Sequence, residues 1–253
     1  MDLGLKGLRA LVTGGSRGIG RSIVEALVAE GTSVAFCART AADVDAAVSA
    51  LTADGATVSG AVADVGDPDR LRGWVTSAAE DLGGIDIVVA NVSALAIPET
   101  LEGWQKTFEI DMMGTVGLVR AALPYLERSA AASIVTISSV SGREIDFAAG
   151  PYGAIKAAII HYTQGLAYQL AGKGIRANTV SPGNTYFPGG VWQSVEQGNP
   201  EFFAQALALN PTGRMAAPAE IARGVAFLAS PAASFVTGSN LVIDGALTRG
   251  VQF

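Results

Sequence analysis

Two residues in the second half of the chain have the types and spacing needed for acid–base chemistry. Tyr152 and Lys156 are four residues apart near the start of a predicted helix, which places both on one face about a turn apart. An isolated phenol, with a pKa of roughly 10, is a poor acid–base catalyst at neutral pH, whereas a nearby ammonium group stabilises the phenolate. A hydroxyl that could position a substrate lies upstream, at Ser138, Ser139 or Ser141, where a predicted strand ends. The combination predicts proton transfer to or from a bound substrate.

A glycine-rich turn occupies residues 13–20, where the sequence reads TGGSRGIG. It follows a predicted strand and opens a predicted helix, at the start of the first β-α-β unit. Glycines are needed where the backbone turns sharply and where a pyrophosphate approaches main-chain N–H groups, and the helix start adds donors and positive potential. Glycine also serves ordinary turns, but in this context we interpret the segment as a dinucleotide-binding turn.

The end of the second predicted strand indicates which dinucleotide is bound. An NAD enzyme of this general fold usually carries an acidic residue there, to hold the ribose 2′-hydroxyl. This chain has Ala38, Arg39 and Thr40 instead, and a guanidinium group suits a 2′-phosphate because it can bond two phosphate oxygens. Arg17 in the glycine turn could add a second cation. Either arginine alone could be an ordinary surface residue, but the pair favours NADP(H).

The elements that must position these residues alternate along the whole chain. Seven runs rich in β-branched residues are predicted strands, and several are apolar on both faces, as expected of strands covered on both sides. Helical stretches separate them, so we expect an α/β fold: a Rossmann-type doubly wound parallel sheet of about seven strands with helices on both faces. The predicted strands are Ala10–Thr13, Ser33–Ala38, Thr57–Val62, Ile85–Ala90, Ser133–Ser138, Arg176–Ser181 and Asn240–Ile243. The predicted helices are Ile19–Glu30, Thr40–Asp54, Pro68–Asp81, Leu101–Arg128, Pro151–Ala171, Phe202–Leu209 and Ala219–Ala229.

Two of these helices, Leu101–Arg128 and Pro151–Ala171, are apolar or small nearly all the way round. A helix on one side of a monomeric sheet should keep a polar stripe. An alanine-rich helix in a large core would explain the pattern, but we favour burial against another subunit. The sequence therefore predicts a homo-oligomer, a dimer or a tetramer, with a homotetramer as the working hypothesis.

Composition excludes several other classes. The 253 residues contain no linker or low-complexity stretch, so we expect a single domain over residues 1–253. A net charge of −6 with interspersed signs argues against nucleic-acid binding, and no apolar run approaches the roughly 20 residues of a membrane span. One cysteine and one histidine cannot build a structural zinc site, so no metal is expected. Without a signal-peptide pattern at the N-terminus, we expect a cytoplasmic protein.

The spacing Gly-x-x-x-Gly-x-Gly in the turn resembles that of the short-chain dehydrogenase/reductase family. The resemblance covers essentially the whole chain and includes YGAIK at residues 152–156, SPG at 181–183 and GRMAAPAEIARGVAFLAS at 213–230. It selects Ser139, thirteen residues before Tyr152, as the hydroxyl that positions the carbonyl. Tyr152 would then transfer the proton, and Lys156 would also hold the nicotinamide ribose. Within the family, the chain is similar to 3-oxoacyl carrier-protein reductases, a similarity that most members share.

The resemblance also implies a cofactor site and a lid. Asp64 and Val65 would border the adenine, and the segment at about 184–214, which is rich in aromatic residues, would close over a substrate with an apolar part. The implied cofactor-binding residues are Gly14, Ser16, Arg17, Gly18, Ile19, Gly20, Ala38, Arg39, Asp64, Val65, Asn91, Tyr152, Lys156, Pro182, Gly183 and Thr185.

Two departures from the family pattern stand out. The NNAG motif after the fourth strand appears as ANVS at residues 90–93, and Asp111 stands where the family has a catalytic asparagine. The asparagine is thought to hold a water near the lysine, and an aspartate could accept the same hydrogen bond, so Asp111 joins the catalytic candidates. We expect an NADP(H)-dependent enzyme that interconverts a ketone and a secondary alcohol. The alternative is a catalytically weak dinucleotide-binding sensor or structural protein.

Overall fold

A computed structural model describes residues 2–52 and 57–251 of the chain. Seven parallel strands form one sheet in the order β3-β2-β1-β4-β5-β6-β7. The central strands are buried on both faces because helices cover both sides, which explains their continuous apolar sequences. The strands are β1 Arg9–Thr13, β2 Ser33–Ala38, β3 Val58–Val62, β4 Ile87–Ala90, β5 Ser133–Ile137, β6 Arg176–Pro182 and β7 Asn240–Ile243.

Helices fill the connections between the strands. They are α1 Gly18–Ala29, α2 Ala41–Thr52, α3 Pro68–Leu82, α4 Leu101–Thr107, α5 Gly114–Leu126, α6 Pro151–Leu170, α7 Val191–Gly198, α8 Pro200–Ala208 and α9 Pro218–Ala229. One apolar core lies between the sheet and α3, α5 and α6, and a second lies between the opposite face and α1, α2 and α9. The predicted doubly wound α/β fold with helices on both faces is therefore confirmed.

The structure corrects one helix and adds another. The predicted helix Leu101–Arg128 is divided by a π-helical turn over Phe108–Met113 and ends at Leu126. Helix α7 was not predicted because its sequence, VWQSVEQG, is short and contains two β-branched valines and a glycine, which are weak helix formers. The predicted helix Thr40–Asp54 corresponds to α2, and its last two residues lie outside the described residues.

The order in which strands are added to the sheet reverses between β1 and β4, although all the strands remain parallel. From β1 the sheet extends one way through β2 and β3, and the other way through β4 to β7. Adjacent loops leave in opposite directions at such a point, which opens a crevice at the carboxyl edge of the strands. The glycine turn, the candidate serines and the predicted lid segment follow β1, β5 and β6, so all three begin at this edge.

Within the described residues, the structure has no helix whose length and apolar character would let it cross a bilayer.

Candidate active site

A cleft of about 640 Å³ runs along the carboxyl edge of the sheet. Its walls include the glycine turn, the catalytic candidates Ser139, Tyr152 and Lys156, and the segment after β6. The further predicted cofactor residues on its walls are Gly14, Ser16, Arg17, Ile19, Gly20, Ala38, Arg39, Asp64, Val65, Asn91, Pro182, Gly183 and Thr185. One continuous space therefore joins the predicted cofactor and substrate regions.

The glycine turn has a conformation that side chains would prevent. A Cβ on Gly20 would collide with the carbonyl oxygen of Gly14, and one on Gly15 would collide with the ring of Phe36. Gly14 and Gly18 adopt φ values of 70° and 55°, which favour glycine. The glycine turn and the start of α1 therefore line the cleft without bulky side chains between. Binding a pyrophosphate requires such an arrangement, because the phosphates must come close to backbone N–H groups.

Asn91, the retained residue of the altered motif, fixes this turn to the sheet. Its side-chain amide donates to the carbonyl oxygen of Thr13 at 3.0 Å, and its backbone N–H donates to the Thr13 hydroxyl at 3.0 Å. These bonds join the end of β4 to the end of β1. Asn91 therefore holds the glycine turn in place, and its predicted role in cofactor binding stays a prediction.

The three candidate serines after β5 have different surroundings. The Ser138 hydroxyl is buried and donates to the backbone carbonyl of Lys156 at 2.8 Å, so it is occupied. The Ser141 hydroxyl donates to Asp146 at 2.7 Å. Ser139 Oγ accepts from the backbone N–H of Ser141 at 3.2 Å, which leaves its proton available for a substrate oxygen or for Ser141 Oγ at 3.3 Å. Of the three, Ser139 is the hydroxyl best placed to donate into the cleft.

Close packing brings Ser139 beside α6. A Cβ on Gly142 would collide with the backbone of Lys156, and one on Gly153 would collide with the carbonyl oxygens of Ala148 and Ser141. The turn after β5 and the first turns of α6 can approach this closely only because both positions lack side chains. The hydroxyl and the Tyr152–Lys156 pair are therefore held by rigid elements on both sides.

Tyr152 and Lys156 share a face of α6, as the four-residue spacing predicts. The Lys156 ammonium lies 5.6 Å from the centre of the Tyr152 ring. Tyr152 is half-buried on the cleft wall, and its hydroxyl has no hydrogen-bond partner among the residues that the structure describes. The phenol is thus accessible to a substrate in the cleft and close to a positive charge.

Lys156 is 2% exposed, and a carboxylate lies directly against it. Its ammonium donates to the carbonyl oxygen of Ile137 at 3.1 Å and lies 3.3 Å from Oδ1 of Asp111, which is fully buried. We expected a water between these groups, but the structure brings them into direct contact. Asp111 lies behind Lys156 and is not among the residues that line the cleft, so any effect on catalysis acts through the lysine.

The segment after β6 contributes an aromatic wall. Trp192 on α7 is 5% exposed, stacks on Phe202 of α8 at 6.1 Å between ring centres, and packs edge-on against Phe147 at 5.6 Å. Phe187 covers Gly18 so closely that a Cβ there would collide with its ring, and Gly18 accordingly does not line the cleft. This segment therefore contacts both the phosphate-binding turn and the far side of the cleft.

Arg17 and Arg39 stand at the opposite end of the cleft. Both are exposed, and no ion pair or hydrogen bond within the described residues uses either guanidinium group. Asp43, on the first turn of α2, lines the same end. Cys37 lies on β2, two residues before Arg39, and is buried in the core. Burial raises the pKa of its thiol to about 12, so the side chain stays protonated.

Sequence reasoning missed several residues that the structure brings to this site, among them Asp146, Phe147 and Leu95. Phe147 and Asp146 lie in the connection from β5 to α6, and the rule that ligand-contacting loops follow the carboxyl ends of strands could have indicated them. Leu95, in the connection after β4, lines the cleft with a φ of 49° that the sequence does not reveal.

Comparison with known proteins shows which family the chain resembles. A family model described as enoyl-(acyl carrier protein) reductase matches residues 14–248. The isoepoxydon dehydrogenase patN of Penicillium expansum is 43% identical over 259 residues, covering 100% of this chain and 99% of that protein. The dehydrogenase/reductase SDR family member 4 of Oryctolagus cuniculus is 33% identical and covers 93% and 92% of the two chains. The chain belongs to the short-chain dehydrogenase/reductase family.

Solved structures of this family resemble the whole chain. A short chain oxidoreductase of Pseudomonas aeruginosa PAO1, bound to NADPH and described as containing an atypical catalytic center, is 33% identical with a TM-score of 0.88. That match covers 96% of this chain and 98% of the other. As a short-chain dehydrogenase/reductase, this protein is an oxidoreductase that uses a nicotinamide dinucleotide.

Proposed function

We propose that this short-chain dehydrogenase/reductase interconverts a ketone and a secondary alcohol with NADP(H). The observation that carries the proposal is the single cleft in which Ser139, Tyr152 and Lys156 face the same space as the glycine turn and two exposed arginines. The bare backbone of the turn and the free guanidinium groups suit a dinucleotide with a 2′-phosphate. When bound, NADPH supplies the hydride for the carbonyl carbon, and NADP⁺ accepts it in the reverse direction.

The protein's own groups handle the oxygen and its proton. Ser139 donates a hydrogen bond to the carbonyl oxygen, which fixes its position and polarises the bond. Tyr152 then gives its proton to that oxygen as the alcohol forms, or takes the proton from the alcohol during oxidation. Lys156 stabilises the phenolate that remains, since its ammonium lies near the same ring.

The lid end of the cleft supports a substrate with an apolar part. Phe147, Trp192 and Phe202 pack on one another there, and the cleft is also lined by the apolar side chains of Leu95, Ile97 and Val195. We propose that the segment at about 184–214 acts as the substrate lid, because its helices carry Trp192 and Phe202 into this wall. Two relatives bear the name isoepoxydon dehydrogenase, so isoepoxydon is the first compound to assay, beside a 3-oxoacyl thioester.

The proposal is tested by turnover with each cofactor and a panel of ketones and alcohols. We expect oxidation of NADPH with at least one ketone, and Tyr152→Phe should lower kcat by roughly 10²–10⁴-fold because it removes the proton donor. Tyr168→Phe is the matched control, since Tyr168 lies on the same helix outside the cleft and the change removes only a hydroxyl, so activity should be unchanged. Because Tyr168 also lies on the predicted subunit interface, the oligomeric state of this variant is compared with that of the wild type. Retention of more than a tenth of wild-type activity in Tyr152→Phe would refute the assignment of the acid. Cofactor binding without turnover of any compound would favour a sensor.

A further inference from the structure

The two departures from the family pattern lie against each other in the structure. Ser93, the last residue of the ANVS segment, donates its hydroxyl proton to Oδ1 of Asp111 at 2.6 Å. The backbone N–H of Ala94 donates to Oδ2 at 2.6 Å. Both oxygens of the buried carboxylate therefore accept from the connection after β4, and Oδ1 also lies 3.3 Å from the Lys156 ammonium.

The same serine hydroxyl holds the neighbouring wall of the cleft. Ser93 Oγ accepts from the backbone N–H of Leu95 at 3.0 Å. Leu95 has a φ of 49°, a left-handed conformation that is uncommon for residues with a side chain. Its side chain is 48% exposed and lines the cleft. One hydroxyl thus links the carboxylate behind Lys156 to a strained residue on the substrate wall.

Hydrogen-bond chemistry selects a carboxylate at position 111 through the Ala94 N–H and the Lys156 ammonium, which can only donate, and Ser93 supplies its third donor. Every group that faces the carboxylate is a donor: the Ser93 hydroxyl, the Ala94 N–H and the Lys156 ammonium. An asparagine at position 111 would present an NH₂ group in place of one oxygen, and that group would face a donor in either orientation. An alanine at position 93 would remove one donor from a buried charge and the acceptor of the Leu95 N–H.

We propose that Ser93 and Asp111 act together as a positioning pair. Their contacts hold the Lys156 ammonium in place on one side and the backbone at Leu95, which lines the cleft, on the other. Neither residue handles the reacting atoms. Asp111 orients the ammonium beside Tyr152, and Ser93 orients both the carboxylate and the backbone of residues 93–95. The proposal rests on the proposed ketone–alcohol activity for its kinetic readout, but the contact between the two side chains is independent of that activity.

The test is a double-mutant cycle of wild type, Ser93→Ala, Asp111→Asn and the double variant, with Ser93→Thr as the conservative variant. With the best ketone and NADPH, each single variant should lower kcat about tenfold, the lower end of what a hydrogen bond to a charged group contributes. The double variant should be no slower than the slower single variant, because both remove the same arrangement. Ser93→Ala should also raise the KM of the ketone severalfold, whereas Ser93→Thr should keep both constants close to those of the wild type.

Two results would overturn the proposal. One is a Ser93→Ala variant with the kcat and KM of the wild type, and the other is a double variant whose loss is the product of the two single losses. If the wild type turns over none of the compounds, the proposed function fails, and the same cycle is then measured on the unfolding temperature. Non-additive shifts would support the pair, and additive shifts would overturn it.

Discussion

Replacing Arg39 tests whether the exposed guanidinium group selects NADP(H). Arg39→Asp puts a carboxylate at the end of β2, where it can accept a hydrogen bond from a ribose 2′-hydroxyl but repels a 2′-phosphate. Arg39 forms no ion pair among the described residues, so the substitution breaks no contact that stabilises the fold. The expected change is therefore confined to the cofactor.

The size of the effect follows from the charges. A hydrogen bond between a guanidinium group and a phosphate contributes about 1.5–3 kcal/mol, and because Arg39 is exposed we take the lower end. At about 1.4 kcal/mol per factor of ten, wild type should bind NADPH at least about tenfold more tightly than NADH. Arg39→Asp should abolish or reverse that preference. Asp43→Asn removes a carboxylate from the same end of the cleft and should move the preference the other way, towards NADPH.

The assay is direct titration of both cofactors, followed by their fluorescence. Arg72→Asp serves as the control, because Arg72 is an exposed arginine on α3, outside the cleft, and its substitution makes the same change in net charge. The preference should also shrink as salt is raised, since the Debye length falls from about 10 Å at 0.1 M to about 3 Å at 1 M. Equal wild-type affinities, or a preference that survives Arg39→Asp, would refute the reasoning.

Three further predictions concern the turn, the stability of the sheet and assembly. Gly20→Ala should weaken binding of both cofactors at least tenfold, because its Cβ would collide with Gly14; cofactor titration checks this, and unchanged affinities would contradict it. Asp86→Asn should lower the stability at pH 7 by roughly 3 kcal/mol, or about 6–12 °C in Tm, because it leaves the half-buried Arg9 without its partner. Burial would raise the pKa of Asp86, but hydrogen bonds from Arg9 and Ser129 lower it below its usual value. The stabilisation is therefore present above about pH 4 and is lost as the pH falls through the folded-state pKa. Calorimetry against pH should show the Tm of the wild type and that of Asp86→Asn becoming equal in acid. Sedimentation at micromolar concentration should find a dimer or tetramer, and a monomer of 25.7 kDa would show that the exposed apolar residues of α4 and α6, such as Leu101 and Tyr168, face solvent.

Most of the fold could be predicted because local sequence and tertiary environment agree. All seven strands lie where short β-branched runs indicated them, and the glycine turn has the conformation that its spacing requires. Helix α6 begins at Pro151, as predicted, since proline suits the first position of a helix. The four-residue spacing of Tyr152 and Lys156 was therefore a reliable guide to their shared face.

What could not be predicted depends on contacts between distant segments. The π-helical turn at Phe108–Met113 adds a residue to one turn, so the apolar stripes of α4 and α5 are out of phase by about 100°. The predicted helix Leu101–Arg128 is apolar nearly all the way round partly because this shift combines two stripes that face different directions. The direct contact of Asp111 with Lys156 likewise requires the relative placement of α6 and the π-helical turn, which no periodicity in the sequence specifies.

The buried charges behind the cleft have a consequence for the evolution of heat resistance. Lys156 and Asp111 are almost wholly removed from water, and a buried ion pair is often no more stable than well-packed apolar residues of the same volume. If the Ser93 hydroxyl and the Ala94 N–H, which donate to Asp111, are also given other partners, an apolar pair such as methionine and leucine should leave Tm unchanged or raise it, by up to about 1–4 kcal/mol of added stability. Such a variant would lack the ammonium beside Tyr152. Selection for thermal resistance alone would therefore favour apolar residues at positions 111 and 156. Selection for turnover retains the ion pair, so stability and activity favour different residues at these two positions.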